Sequence, residues 1–271
     1  MDILDKIQNV DSTPAGPMTA LFYGHTKHGK THILSTFPGP ILVMSVGPER
    51  ASRPTLKATE RDDIDIVNIV SVDGNPAGDN NVSMQNMLDR AEEIQLARGY
   101  RTWALDTSSQ YFHLYISEKR EYGNRRATFD VWDKFYEHLK NMRNRFHNLG
   151  THFVWTCHVR YERDGESISR MVPDIPGQKT LQMLLGSCNI VGFLDVTERE
   201  VKVGEGDSAK SIREDVYWLR LKCPYDWMGT PFEAGSHFKN RLVRPAYAPN
   251  FDTLVKYLNP DEEGKKPLVT P

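Results

Sequence analysis

The chain has 271 residues, of which 39% are hydrophobic and 26% are charged. This length suffices for one large α/β domain or two small ones, with a core that needs no disulfides or structural metal. The formal net charge is −2, so no overall basic charge marks the chain as a nucleic-acid-binding protein. Any contact with nucleic acid must therefore come from local basic patches.

The cysteines and the apolar runs exclude several further classes of protein. Cys157, Cys188 and Cys223 lie far apart without a CxxC spacing, which argues against a zinc module or a disulfide framework and fits a reducing cytosol. No apolar run approaches the ~18 residues of a membrane-spanning helix, and the N-terminus is too acidic and polar for a signal peptide. We therefore expect a cytoplasmic location and no membrane partner.

The two ends of the chain differ from its middle. Residues 1–17 combine a short amphipathic segment with a Pro/Gly linker; they form either a frayed end or an arm that docks on a neighbouring subunit. Residues 18–258 are predicted to form one domain. Residues 259–271, rich in proline and glutamate, are predicted to be a flexible tail.

The predicted domain alternates strand patterns with helix patterns. Apolar runs predict strands at residues 18–23, 41–46, 64–72, 102–106 and 151–157. Helical spacing predicts helices at residues 30–37, 84–98, 130–149, 179–187 and 251–258. Two more strands, at residues 189–197 and 216–223, flank a charged stretch and predict a hairpin. The fold class predicted from this alternation is α/β, with a mainly parallel sheet flanked by helices and an antiparallel hairpin at its C-terminal edge.

The stretch YGHTKHGKTH contains the pattern Gly-x-x-x-x-Gly-Lys-Thr. The two glycines let the backbone wrap a phosphate group, and the exposed N–H groups and the following helix start supply positive potential. Lys30 is expected to reach the β- and γ-phosphates, and the Thr31 hydroxyl to bind Mg²⁺. Because the motif follows an apolar strand and opens a helix, we predict an ATP site formed by Gly24, His25, Thr26, Lys27, His28, Gly29, Lys30, Thr31 and His32.

This loop also carries three histidines that phosphate binding does not need. His28 and His32 are four residues apart, but the backbone between them has to bend around phosphate. We therefore expect solvated or phosphate-facing histidines rather than a histidine metal site. Lys27 is either exposed or placed to touch the γ-phosphate or a neighbouring subunit.

Acids and a histidine at other strand ends complete the predicted site. Asp106 ends the fourth predicted strand and is expected to hold Mg²⁺ with Thr31. The next residue is Thr107, whereas many ATPases place a water-activating glutamate there. Glu49 is our candidate for that base, provided that the strand before it neighbours the phosphate loop; the alternative is a surface glutamate. His158, at the end of the fifth predicted strand, is either a γ-phosphate sensor or a structural histidine.

Together these motifs resemble the RecA-like ATPase core. The resemblance spans about residues 18–245 and is carried by GHTKHGKT, WALDTSSQ, FVWTCHV, PGQKTLQMLLGSCNIVGFLDV and HFKNR. The chain is most similar to phage-encoded nucleotide-binding proteins that keep only this core, among them the RecA-like single-strand annealing and recombination proteins. The resemblance implies a RecA-like P-loop NTPase fold and a Mg²⁺-dependent ATPase, encoded by a phage and active in the bacterial cytoplasm.

The resemblance also implies that two loops bind single-stranded DNA. These loops, residues 117–130 and 159–179, are basic and contain a tyrosine, and phosphate pairing and base stacking require those residue types. The alternative is two solvated charged loops, because acids interleave the bases. The expected DNA contacts are Lys119, Arg120, Arg125, Arg126, Arg160, Arg163, Arg170 and Lys179.

Self-assembly into a filament or ring is a further implication of the resemblance. RecA-like filaments complete each ATP site with basic residues of the adjacent protomer, and Lys239 and Arg241 of HFKNR are the candidates here. Such a cation neutralises charge that develops on the γ-phosphate. The alternative is a basic pair on the surface. A single-strand-binding protein is another expected partner.

Several functions are compatible with these motifs. The first is an ATP-dependent recombination or annealing protein whose turnover is stimulated by single-stranded DNA. The second is an ATPase that acts on a protein partner, such as a helicase loader or a remodelling factor. A small-molecule kinase ranks last, because no arginine-rich lid is evident. A purely structural nucleotide binder is the remaining possibility if Glu49 is not a base.

Overall fold

The computed structural model describes residues 17–47, 52–120, 127–203, 210–221, 232–236, 246–247, 250–252 and 254. The strands are β1 Thr19–Gly24, β2 Ile41–Val46, β3 Ile64–Ser71, β4 Asn81–Ser83, β5 Thr102–Asp106, β6 His152–Asp164, β7 Ser167–Pro173, β8 Ile190–Val203, β9 Lys210–Arg220, β10 Gly235–Ser236 and β11 Ala246–Tyr247. The helices are α1 Lys30–Ser35, α2 Ser52–Lys57, α3 Met84–Asp89, α4 Ala91–Arg98, α5 Ser108–Lys119, α6 Phe129–Asn148 and α7 Gln178–Ser187. None of the described helices combines the length and the apolarity that crossing a membrane requires.

One sheet organises the fold, with the strand order β11-β9-β8-β1-β6-β5-β2-β3-β4. From β8 to β4 in this order the strands run parallel, whereas β9 pairs antiparallel with β8 and β11. The predicted α/β class is confirmed: the sheet is mainly parallel, helices flank it, and its C-terminal edge is antiparallel. The carboxyl ends of the parallel strands meet at one edge, where ligands bind in open α/β sheets.

The condition set for Glu49 as the water-activating base is not met. The strand before Glu49 had to neighbour the phosphate-loop strand, but β2 pairs with β3 and β5. The neighbours of β1 are instead β6 and β8, which come much later in the chain. Strand adjacency therefore does not bring Glu49 to the γ-phosphate, and Glu49 itself lies outside the described residues.

The helices differ from the predicted ones in two respects. The predicted helix 84–98 is two helices, because Arg90, with φ −107° and ψ 10°, interrupts the helical backbone between α3 and α4. Helices α2 and α5 were not predicted. Helix α5 buries Ser108, Tyr111 and Tyr115 among other residues, so polar and apolar side chains are mixed on its packed surface and no clear amphipathic period marks it.

Alternating residues of β1 build the two layers of the core. Leu21 and Tyr23 pack in the layer that contains α5 and α6, whereas Ala20 and Phe22 pack in the layer of α1. Successive side chains of a strand point to opposite faces, so a strand covered on both faces is apolar throughout. The helical spacing that predicts α6 corresponds to a packed face: Val131, Phe135, Leu139, Met142 and Phe146 are buried, and Leu149 is partly buried.

A buried histidine on α6 makes the stability of the fold depend on pH. His138 Nε2 lies 2.5 Å from the Tyr111 hydroxyl, and burial lowers the pKa of His138 to about 4, with Asp73 opposing and Lys119 adding to the shift. The unfolded chain binds this proton near pH 6.5. The contribution of neutral His138 to stability is therefore complete above about pH 6.5 and is lost as the pH falls towards 4.

We expect His138→Gln to reduce the slope of the free energy of unfolding against pH between about pH 4 and 6.5. The amide keeps a partner for the Tyr111 hydroxyl but does not titrate. Urea unfolding at several pH values measures the slope, and an unchanged slope in the variant contradicts the assignment.

Candidate functional site

The turn between β1 and α1 requires both of its glycines. A Cβ at Gly24 would lie 2.5 Å from the carbonyl oxygen of Leu194 on β8, so a larger residue would push the two strands apart. Gly29 has a φ of 84°, a conformation that side chains with a Cβ rarely adopt. The backbone can therefore form a tight loop directly before the first turn of α1.

Lys30 extends into this loop. Its Nζ donates hydrogen bonds to the carbonyl oxygens of Gly24, at 3.0 Å, and His25, at 2.7 Å. The residue is 6% exposed, and this burial lowers the pKa of Lys30 while the charge of Asp106 raises it. The amine is thus held inside the loop, where phosphate binding requires it.

Asp106 ends β5 beside the loop and accepts hydrogen bonds from three hydroxyl groups. Thr31 Oγ1 and Ser52 Oγ donate to Oδ2 at 2.8 and 2.7 Å, and Thr156 Oγ1 donates to Oδ1 at 2.6 Å. Hydroxyl and carboxylate oxygens are ligands that Mg²⁺ prefers, so Thr31 and Asp106 fit the magnesium site predicted for them. Ser52 and Thr156 were missed because no local pattern distinguishes them from other serines and threonines.

Strand β6 brings His158 to the same edge of the sheet. His158 is in register with Gly24, and its backbone N–H donates to Ser109 Oγ at 2.9 Å. Burial and then the charge of Lys30 lower the pKa of His158, and both favour the neutral imidazole. This position suits the predicted γ-phosphate sensor, and the role itself stays a prediction.

A cavity of about 870 Å³ unites these residues. Its volume is in the range of small-molecule sites. The described residues that line it include a single carboxylate, that of Asp106. The full lining comprises Thr26, Lys27, Gly29, Lys30, Thr31, His32, Ser45, Val46, Ser52, Thr55, Asp106, Thr107, Gln110, His158, Tyr217 and Asn250.

Two polar residues after Asp106 belong to this cavity and were not predicted. The Thr107 hydroxyl is buried and has no hydrogen-bond partner among the described residues. Gln110 lies against Gly47, the residue after β2: a Cβ added to Gly47 would be 2.6 Å from Gln110 Oε1. Helix α5 begins directly after β5, so its start forms part of the cavity wall. This position brings Thr107 and Gln110 into the lining.

The three loop histidines lie in different surroundings. His25 Nε2 lies 3.0 Å from the Tyr161 hydroxyl, and His28 Nδ1 lies 3.4 Å from the carbonyl oxygen of Leu194. His32 is exposed. Burial, followed by the charges of His28 and Lys30, lowers the pKa of His25. Among the described residues, no three His, Cys, Asp or Glu side chains gather as a metal site would require.

The second predicted DNA loop, residues 159–179, is mostly a β-hairpin, so its description as a loop is wrong. Strand β6 continues beyond His158 and pairs antiparallel with β7, and α7 begins at Gln178. The hairpin projects past the edge of the sheet and is largely exposed. The predicted strand ended at residue 157, where the apolar run ends. The charged residues that follow lack a strand pattern, so the rest of β6 was not predicted.

Two cations of this hairpin are paired with acids. Arg170 Nε donates to Glu162 Oε2 at 2.7 Å, and Arg170 also forms an ion pair with Glu233. Arg160 lies 3.5 Å from Glu162. Any phosphate group would have to compete with these acids for both arginines.

The other two cations of the second predicted DNA loop are exposed. Lys179 Nζ lies 4.2 Å from the centre of the Tyr136 ring. Arg163 forms no ion pair with the described part of the chain. Arg163 is therefore the cation of the hairpin that is most available to a partner.

The structure describes the two ends of the first predicted DNA loop, residues 117–130. Its start belongs to α5, where Lys119 forms an ion pair with Asp73 and Arg120 is exposed, and its end belongs to α6. Predicted site residues that lie outside the described residues are Glu49, Arg125, Arg126, Lys239 and Arg241.

A family model described as an AAA domain matches residues 16–220, more than half of the chain. A solved structure, a KaiC-like protein from the hyperthermophilic archaeon Pyrococcus horikoshii, is 14% identical, with 75% of this chain and 85% of that chain covered and a TM-score of 0.41. No curated protein matches the chain. The phosphate loop, Asp106 and His158 all lie within the residues matched by the family model, and the chain belongs to the AAA domain family as a nucleotide-binding ATPase of the phosphate-loop class.

Proposed function

We propose that the protein hydrolyses ATP with Mg²⁺ and couples hydrolysis to single-stranded DNA, in recombination or annealing. The observation that carries this proposal is the continuity of β6, which runs from the ATP site into an exposed hairpin. His158 lies beside Gly24 of the loop, and the Tyr161 hydroxyl lies 3.0 Å from His25 Nε2. Strand β6 and the contact between His25 and Tyr161 therefore connect the predicted γ-phosphate position to the exposed β6–β7 hairpin. A change at the γ-phosphate could alter the hairpin through these two connections.

The described residues of the cavity can bind the phosphates, hold the metal and orient the attacking water. The loop amides and Lys30 bind and orient the phosphates, and Thr31 and Asp106 would hold Mg²⁺. When bound, Mg²⁺ neutralises charge on the β- and γ-phosphate oxygens. Attack of water on the γ-phosphorus breaks its bond to the oxygen that bridges the β- and γ-phosphates, and yields ADP, inorganic phosphate and a proton released to solvent. Gln110 lines the cavity and carries both a donor and an acceptor, so it is the residue we propose to orient that water, a role glutamine has in some phosphate-loop enzymes.

The hairpin offers DNA a suitable surface. Tyr161 and Arg163 lie on β6 towards the tip of the hairpin, and the pairing with β7 shifts register between Glu162 and Arg163. Ile168 pairs with Arg163 across the hairpin, and Tyr161 and Ile168 are 41% and 42% exposed. An aromatic ring and a nearby cation suit single-stranded nucleic acid, because rings stack on bases and cations pair with phosphates.

The same hairpin also supports a second candidate function, action on a protein partner as a helicase loader or remodelling factor. Tyr161 and Ile168 present apolar surface to solvent, which is common at protein interfaces. The pairing of Arg160 and Arg170 with acids leaves the hairpin less basic than its sequence suggests.

We further propose self-assembly on DNA, with Lys239 and Arg241 reaching the ATP site of a neighbouring subunit. A single-strand-binding protein is a further proposed partner. These proposals, together with a phage origin and a cytoplasmic location, rest on the resemblance to RecA-like annealing and recombination proteins.

The test of the DNA proposal measures ATP turnover with and without single-stranded DNA over a range of salt concentrations. We expect DNA to raise turnover in the wild type. Arg163→Ala is expected to raise the DNA concentration needed for half-maximal stimulation and to reduce the slope of log affinity against log salt by about 1, the effect of one lost phosphate contact.

The matched control is Arg98→Ala. Arg98 is exposed at the end of α4, shortly before β5 begins and thus near the opposite edge of the sheet. This variant is expected to keep the DNA response of the wild type. Turnover that is indifferent to DNA, together with no DNA binding in the presence of an ATP analogue, contradicts the proposal; stimulation by a protein instead supports the second candidate.

A further inference from the structure

The β8–β9 ribbon extends past the phosphate loop. Pairing of β8 with β1 ends at Leu194, opposite Gly24, but β8 itself continues. Tyr217 of β9 pairs with Val196, two residues beyond Leu194. The ribbon therefore holds Tyr217 just outside the carboxyl edge of the sheet, next to the loop.

The ring of Tyr217 packs on the loop and keeps part of its surface open. A Cβ at Gly29 would lie 3.5 Å from Cδ1 and 3.8 Å from Cε1 of the ring, which is ordinary van der Waals distance. Tyr217 is 38% exposed and lines the cavity. An aromatic wall thus stands directly beside the residue that precedes Lys30.

Tyr217 and Asp106 lie on opposite sides of the loop. In the sheet, β5 with Asp106 is two strands from β1 on one side, and β9 with Tyr217 is two strands from β1 on the other. Four strand spacings of about 4.8 Å separate β5 from β9 by roughly 19 Å along the edge. Both residues nevertheless line the same cavity, which therefore crosses the whole phosphate loop.

This geometry assigns a direction to a bound nucleotide. With its phosphates on Lys30 and Thr31 and its γ-phosphate towards Asp106 and His158, a nucleoside triphosphate has its base at the β9 end of the cavity. His32 and Asn250 line the cavity too, and Asn250 is held near α1 because the next residue donates its N–H to Thr36 Oγ1 at 2.8 Å.

We propose that Tyr217 forms the nucleobase subsite, its ring stacking on the base of the bound nucleotide. The inference rests on the proposed ATP hydrolysis. It names the residue that binds the base of the nucleotide, whereas the loop binds the phosphates. Aromatic rings stack on any base through its π face. The subsite therefore contributes affinity to every nucleoside triphosphate and discriminates little between bases.

The test compares an ATP analogue that is not hydrolysed with inorganic tripolyphosphate, which has the phosphates but no base. In the Tyr217→Ala protein we expect the Kd for the analogue to rise about 10-fold or more, while the Kd for tripolyphosphate equals that of the wild type. Tyr217→Phe keeps the ring and is expected to bind both ligands like the wild type. Isothermal titration calorimetry with Mg²⁺ measures both constants.

Two outcomes would overturn the inference. One is an unchanged affinity of Tyr217→Ala for the ATP analogue. The other is an equal loss of affinity for the analogue and for tripolyphosphate, because the ring would then support the loop rather than the base. A wild-type protein that binds neither ligand contradicts the proposed ATP hydrolysis itself, so the two failures are distinguishable.

Discussion

Replacing Lys30 with alanine is expected to lower ATP turnover by about 100- to 1,000-fold. The amine of Lys30 is buried inside the loop and lies 3.0 and 2.7 Å from two loop carbonyl oxygens. A cation held there stabilises the charge of the transferring phosphoryl group, and no other described lysine is buried in the loop. Phosphate release at saturating Mg²⁺ and ATP measures the effect.

The matched control is Lys134→Ala, which makes the same chemical change on α6. Lys134 is exposed and forms an ion pair with Asp130 one helical turn away, an interaction worth only tenths of a kcal/mol. ATP turnover by the Lys134→Ala protein is expected to equal that of the wild type. If Lys30→Ala folds and still hydrolyses ATP at the wild-type rate, the loop is not the site of hydrolysis.

The largest expected effect on stability is that of Phe135→Ala, a loss of about 3–5 kcal/mol in the free energy of unfolding. Phe135 is fully buried on α6. Its ring centre lies 5.8 Å from that of Phe112 and 5.2 Å from that of Tyr115, both on α5. Removing the ring leaves a cavity at the interface between α5 and α6.

Phe129→Ala provides the comparison within the same helix. Phe129 is 92% exposed, so its replacement is expected to change the free energy of unfolding by at most about 0.5 kcal/mol. Urea unfolding gives both values, with the dependence on urea concentration unchanged if the unfolded state is the same. Equal effects of the two substitutions would show that the α5–α6 interface does not depend on Phe135.

Elements with a strong local signal were predicted well. Strands β2 and β5 match the predicted residues 41–46 and 102–106, because a strand buried on both faces is a continuous apolar run. The phosphate loop was found because its glycines and Lys30 follow one another within a few residues. Helix α5 has no such signal: its buried hydroxyls, including that of Tyr111, interrupt the apolar pattern that marks a helix.

The sequence by itself determined the α/β class, the phosphate loop and Asp106, because periodicity and local backbone requirements are properties of neighbouring residues. Only the tertiary structure decided which distant residues meet them. Strand order placed His158 rather than the end of β2 beside Gly24, and the β8–β9 ribbon brought Tyr217 to the loop. Such contacts depend on which strands pair and on how helices pack over them. The residues next to a single serine, threonine or tyrosine do not indicate which distant strand will lie beside it.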